Sequence, residues 1–187
     1  VALNTTGSSG NVTVVDASGL NLAASTVGGN LSATATTGNI VDSGNLAITG
    51  TSSFTTSANN ADIRLNNTNA FTGAVALNTT GSSGNAWVDN GTTSLNIAAS
   101  SVGGYMWLIS GNNITDSGTV TVGVQLQATT DANNGLINLG TLAVDGSVRL
   151  ITNGTGNATV VNDAGLKLKA STVGGNLSAT ATTGNME

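Results

Sequence analysis

The sequence predicts an all-β chain wound as a right-handed parallel β-helix, and three observations carry that prediction. A sixteen-residue phrase, ASTVGGNLSATATTGN, stands at residues 24–39 and again, unchanged, at 170–185, with a diverged copy at 99–113. Aliphatic residues alternate with small polar ones along most of the chain. Gly, Asn, Ser and Asp recur between those alternating runs, while proline is absent. Near-identical phrases at fixed spacing belong to stacks of similar layers, because each layer meets nearly the same neighbours.

The elements follow in chain order. VALNTTGSSGN at residues 1–11 returns identically at 75–85, and loosely at 148–157. Val12 and Val14, Leu20 and Leu22, Leu31 and Ala33, Leu46 and Ile48, Ile63 and Leu65, and Val75 and Leu77 each stand two apart. Period two marks strands with one buried face. Gly and Asn between them tolerate the left-handed backbone of tight corners. No window has a helical period.

The copies align on a super-repeat of about 74 residues with about nine short strands, which suggests three layers of three. Dividing at the Gly-Asn and Asn-Asn corners gives seven triangular rungs of about 22–28 residues, the size expected of one solenoid layer. They fall at 11–38, 39–60, 61–84, 85–112, 113–134, 135–156 and 157–184. A partial layer at 1–10 and a stub at 185–187 flank them. At roughly 4.8 Å per layer the object would be about 36 Å long. In such a coil every strand finds its partner one turn away, and aliphatic side chains stack into a continuous inner column. Outward Thr, Ser and Asn suit an exposed pleat. A sandwich shares the short strands but gives no reason for near-identical repeats.

Composition narrows the function. Only 7% of residues are charged and 3% are aromatic, and histidine and cysteine are absent. Zinc-type metal sites and most nucleophile–base pairs are thereby excluded. The net charge is −5, and Arg64, Arg149, Lys167 and Lys169 are the only basic residues. That balance argues against nucleic acid and anionic membrane surfaces. No apolar run is long enough to span a bilayer as a helix. The eight aspartates are scattered at about one per layer, as corner residues are. Asp42 and Asp116 are equivalent, and three layers would hold them about 14 Å apart, too far to share one substrate bond. No calcium-binding GGxGxDx nonapeptide occurs. The spacing Thr34–Ala35–Thr36, repeated at Thr180–Ala181–Thr182, suits an ice-binding face. Leu108–Ile109–Ser110 breaks it in the middle copy. No enzyme, cofactor or metal is therefore expected.

The aromatic exceptions are the candidate site. Trp87 stands where the other copies have Thr13 and Thr159. Trp107 replaces Ser32 and Ser178, and Tyr105 replaces Asn30 and Asn176. Alternation points both tryptophans outward, where they would form a glycan platform or a lateral contact. A slip of one residue in register would bury them.

The phrases ADIRLNNTNAFTGAVALNTTGSSGN (61–85) and ASSVGGYMWLISGNNITDSGTVTV (99–122) resemble the repeat arrays of filamentous-haemagglutinin-like exoproteins. Those are the large secreted β-helical partners of two-partner secretion systems, and bacterial β-strand-repeat surface proteins are similar. The resemblance implies a parallel β-helix, secretion to the bacterial cell surface, and a role in adhesion, biofilm or filament formation. The leading expectation is a structural shaft; the alternative is a glycan-binding module using Trp87, Tyr105 and Trp107. The expected partners are further copies, end to end or side by side, and host or matrix glycans. Val1 and Glu187 both fall in mid-pattern, so a longer polypeptide is expected.

Overall fold

The computed structural model describes all 187 residues. It is a parallel β-helix of about eight turns with a repeat of about 21 residues. Every strand pairs in parallel with strands one coil away. One unbroken column of paired residues defines the winding. It runs Leu20, Ile40, Ile63, Ala86, Met106, Leu126, Val148, Leu168, one residue per coil. Its members are spaced almost evenly along the chain. Eight coils at roughly 4.8 Å each make a body about 38 Å long.

The rung lengths therefore need correction. The expected rung 11–38 contains Val12–Asp16 and Leu31–Ala35, which lie one upon the other as neighbours in different coils. The expected rungs 85–112 and 157–184 fail likewise, because Ala86–Asp89 pairs with Tyr105–Ser110 and Ala158–Asn162 with Leu177–Ala181. Gly-Asn stands at more than one corner of a coil, as at Gly29–Asn30 and Gly38–Asn39, so a division at Gly-Asn and Asn-Asn corners does not mark single turns.

The super-repeat spans about three and a half coils rather than three. In the first coils a long strand lies on side one (Val12–Asp16, Leu31–Ala35, Ser52–Asn59, Val75–Thr80). Short strands fill side two (Leu20–Leu22, Ile40–Asp42, Ile63–Leu65) and side three (Ser25–Val27, Leu46–Ile48, Ala70–Phe71). After Val75 the arrangement turns by one side. Leu95–Ile97 and Ser100–Val102 now share side one, and the long strands Tyr105–Ser110, Gln125–Asn133 and Ser147–Asn153 lie on side two. At Ala158–Asn162 the long strand returns to side one. Seven coils thus equal two super-repeats, and Leu31–Ala35 and Leu177–Ala181 share a sheet that their middle copy Tyr105–Ser110 does not.

The core is one cluster of 36 buried apolar residues running along the axis. Side-chain size is matched between coils: Ala33 stacks between Val14 and Phe54. The Phe54 ring in turn meets Phe71 edge to face at 5.7 Å. Burying this column supplies most of the stabilisation, at about 25 cal/mol per Å² of apolar surface.

Corners are held by side chains that imitate main chain. The Asn11 side-chain carbonyl accepts from Asn30 N, and Asn30 from Thr51 N, at 2.8 Å each. At the next corner Asn39, Asp62 and Asn85 accept in turn from the backbone of Asp62, Asn85 and Tyr105. This asparagine ladder is the physical content of the recurring Gly-Asn. The buried Asn90 completes side three where no strand covers Phe71: its Oδ1 accepts from Phe71 N, and its amide donates to Phe71 O and Ser94 O. The Val-Gly-Gly corner has a steric reason as well, since a Cβ on Gly103 would collide with the Gly81 carbonyl of the coil beneath.

Candidate aromatic face on side two

The pleat alternates through Ala86–Asp89 and Tyr105–Ser110 on side two, and the alternation decides which way the aromatics face. Ala86, Val88, Met106 and Leu108 are fully buried, so Trp87 and Trp107 between them point outward. The register is the outward one. Trp87 is 38% exposed and Tyr105 39%, while Trp107 is half-buried between them.

Coil-to-coil pairing then builds a column of outward residues along the axis: Val41, Arg64, Trp87, Trp107, Gln127, Arg149. Within it Trp87 and Trp107 are direct neighbours, with ring centres 6.0 Å apart and planes tilted by 48°. Tyr105 lies two residues before Trp107 on the same strand, and its ring stacks on the indole, parallel to within 7° with ring centres 5.2 Å apart. Tyr105 enters where the ladder at the corner leaves off. Its backbone N–H still donates to Asn85 Oδ1, but the phenol in place of an asparagine passes no such bond onward.

Polar groups frame the rings on both flanks. On one, Asp62, Arg64, Asn66 and Asn85 line a cleft of about 310 Å³ whose apolar wall is Ile63, Trp87 and Trp107. Arg64 donates to Asp62 at 2.8 Å. Partial burial pushes the Asp62 carboxyl up, but hydrogen bonds from Asn85 N, Arg64 and the Asn85 amide outweigh it and hold the group below the usual carboxylate range. On the other flank, Arg149 Nη1 donates to Gln127 at 3.3 Å, and Lys169 Nζ reaches back to Gln125 at 2.8 Å.

At the far ends of the side-two strands stand Asp42, Asp89 and Asp131. Burial, aided by the charges of Asp131 and Asp42, raises the Asp89 carboxyl despite a hydrogen bond from Gly91 N. Asp42 is itself bonded to Asn66, Asn67 and Asn69. No group of three or more acidic residues is arranged to hold a metal ion. Asp42 and Asp116 stand on different sides, not in one row three layers apart, because the arrangement turns between their copies.

The sequence marked Trp87, Tyr105 and Trp107, and the fold brings all three together. It did not mark Arg64, Gln127 or Arg149 as their neighbours. That neighbourhood depends on a coil of about 21 residues, which spacing along the Leu20–Leu168 column would have shown. All four basic residues of the chain lie on side two or at the end of its last strand, Lys167–Leu168.

A family model described as repeats of unknown function (DUF5649) matches residues 9–78. No curated protein and no solved structure matches the chain.

Proposed function

We propose that this chain is a segment of the structural shaft of a secreted bacterial surface fibre or adhesin, of the kind formed by filamentous-haemagglutinin-like exoproteins. The observation that supports this reading is the unbroken column of parallel pairing from Leu20 to Leu168. Each coil hands its main-chain hydrogen bonds to the next, so length is added without any new kind of contact. The outward Thr, Ser and Asn of side one, such as Thr13, Ser32, Thr34 and Ser53, suit a spacer that carries other parts away from the cell. Electron microscopy and fibre diffraction of the protein test it. A rod with a reflection near 4.8 Å along its axis, roughly the strand spacing, is the expected outcome. Compact particles without that repeat along the long axis overturn it.

A second reading, a glycan-binding module, has its own supporting observation: the parallel stack of Tyr105 on Trp107, beside Trp87. Aromatic faces presented to water stack on the apolar faces of sugar rings. On a glycan array, Trp107→Ala is expected to abolish whatever binding the unaltered protein shows. Binding that survives Trp107→Ala removes this reading and leaves the passive shaft.

A further inference from the structure

We infer that side two binds an acidic, sparsely charged linear polysaccharide lying along the axis of the coil, its sugar rings on Trp87, Trp107 and Tyr105 and its acid groups on Arg64 and Arg149. The inference rests on the glycan-binding reading above and adds the ligand's charge, its spacing and its direction.

Cations and aromatics are segregated together. A chain with net charge −5 places all four of its cations on, or at the end of, the one side that carries both tryptophans and the only tyrosine. Random drift of repeats spreads substitutions over every side, because each phrase visits different sides in successive copies. The outward column arranges these residues in an order: Arg64, then Trp87 and Trp107, then Gln127, then Arg149. Cations thus stand at both ends of an aromatic centre.

The register sets the ligand's direction. The column runs from strand to strand, perpendicular to the strands and along the rod. A ligand that touches all five positions must be extended along the same line. Arg64 and Arg149 are four coil steps apart, or about 19 Å. Two acid groups separated by several sugar units span that distance, and a small monosaccharide ligand does not.

Charge density separates one class of anion from another. Arg64 already has Asp62 as a partner, and its side chain remains 60% exposed. It can offer its remaining N–H groups to a carboxylate or sulfate in the planar fork geometry that guanidinium provides. The half-buried Asp89 and the exposed Asp131 stand at the far ends of strands on the same side, with the buried Asp42 near them. A polyanion with a charge on every unit, such as single-stranded nucleic acid, would meet those carboxylates as well as the arginines. A sugar chain with widely spaced acid groups would meet the arginines and only one carboxylate, Asp62, whose charge Arg64 already offsets.

The test uses linear oligosaccharides printed in matched neutral, uronic-acid and sulfated forms, with oligothymidylate alongside. Unaltered protein, Trp107→Ala and the double variant Arg64→Gln/Arg149→Gln are compared, and circular dichroism checks that each retains its β fold. Sparsely acidic forms are expected to bind about tenfold more tightly than their neutral matches. The double arginine variant is expected to lose that preference while keeping the weaker neutral binding, and Trp107→Ala to lose both. The acid preference is expected to shrink as ionic strength rises from about 0.01 M to 0.15 M, where the screening length falls from about 30 to 8 Å. The uronic-acid and sulfated series show which acid group is preferred. Equal binding of neutral and acidic forms, indifferent to the arginines but dependent on Trp107, overturns this inference and leaves the glycan-binding reading standing. The absence of any Trp107-dependent binding overturns both. Tightest binding to oligothymidylate or to the most densely sulfated chain overturns the inference in favour of a general polyanion site.

Discussion

The strands Leu31–Ala35 and Tyr105–Ser110 occupy the same place in the repeat, yet they do opposite things. The first, LSATA, lies on side one with Leu31, Ala33 and Ala35 turned inward and Ser32 and Thr34 outward. The second, YMWLIS, lies on side two with Met106, Leu108 and Ser110 inward and Trp107 and Ile109 outward. Both keep the alternation, the Val-Gly-Gly corner before them and the asparagine bond that receives their first residue or its predecessor. What differs is side-chain volume on both faces. Inward, the change answers to a new set of neighbours, since three and a half coils move the copy to another side. Outward, no packing requirement explains an indole in place of a serine. The pleat is common property, and the outward positions are where copies are free to diverge.

Exchanging the inward residues should break this comparison most severely. Leu108 is fully buried, stacked between Val88 and Ala128. Leu108→Ala is expected to cost about 2–5 kcal/mol through lost burial and the cavity left behind. Its counterpart Ala33 faces Phe54 in the next coil. Ala33→Leu is expected to cost about 1–3 kcal/mol by overpacking against that ring. Urea unfolding of both variants measures the two values. If both are tolerated within about 0.5 kcal/mol, the range of an ordinary surface substitution, the core does not enforce the match between a copy and its side.

The outward exchange should be milder. Trp107→Ser restores what the other copies carry. It removes the stack on Tyr105 and the contact with Trp87, pairs worth about 0.5–1.5 kcal/mol each beyond their buried area. The pleat and the buried neighbours are untouched, so a loss of about 1–3 kcal/mol, smaller than that of Leu108→Ala, is expected, with the β signature intact. A loss near that of Leu108→Ala would mean that the indole holds the coil together and is no surface feature.

Much of this was readable from residues alone, and the parts that were not have physical causes. Period two in LNL, LAI and LSATA predicts the strands and their inward faces, because alternation reports the pleat directly. The same rule turned Trp87 and Trp107 outward. Coil length was not readable from the Gly-Asn corners, because asparagine ladders stand at two corners of the coil, at Asn11–Asn30 and at Asn39–Asp62–Asn85. A corner count therefore does not count turns. For the same reason the neighbourhood of Arg64 and Arg149 to the tryptophans is not legible from spacing alone. Arg64 lies one coil before Trp87 and Arg149 two coils after Trp107, and only the register between coils makes them members of one column.

Two carboxylates on side two sharpen the comparison on the smallest scale, because their environments push them in opposite directions. Asp62 sits among donors beside the tryptophans and is held below the usual carboxylate range. Asp89 sits half-buried at the other end of the strand with two like charges near it and is raised. A carboxyl whose folded value is lowered contributes stability at neutral pH that is lost as the pH falls through that lowered value. A raised one does the reverse: its charge destabilises the coil at neutral pH, and protonation relieves this as the pH falls through the raised value. Asp62→Asn is therefore expected to lower the melting temperature slightly at pH 7 and to flatten its decline in acid. Asp89→Asn keeps an acceptor for Gly91 N while removing the charge, so it is expected to raise the melting temperature at pH 7 and to converge with the unaltered protein in acid. Melting curves from pH 7 down to about 3 decide it. Shifts of the same sign in the two variants would show that net charge alone governs the response, and that the donors around Asp62 do not distinguish it from Asp89.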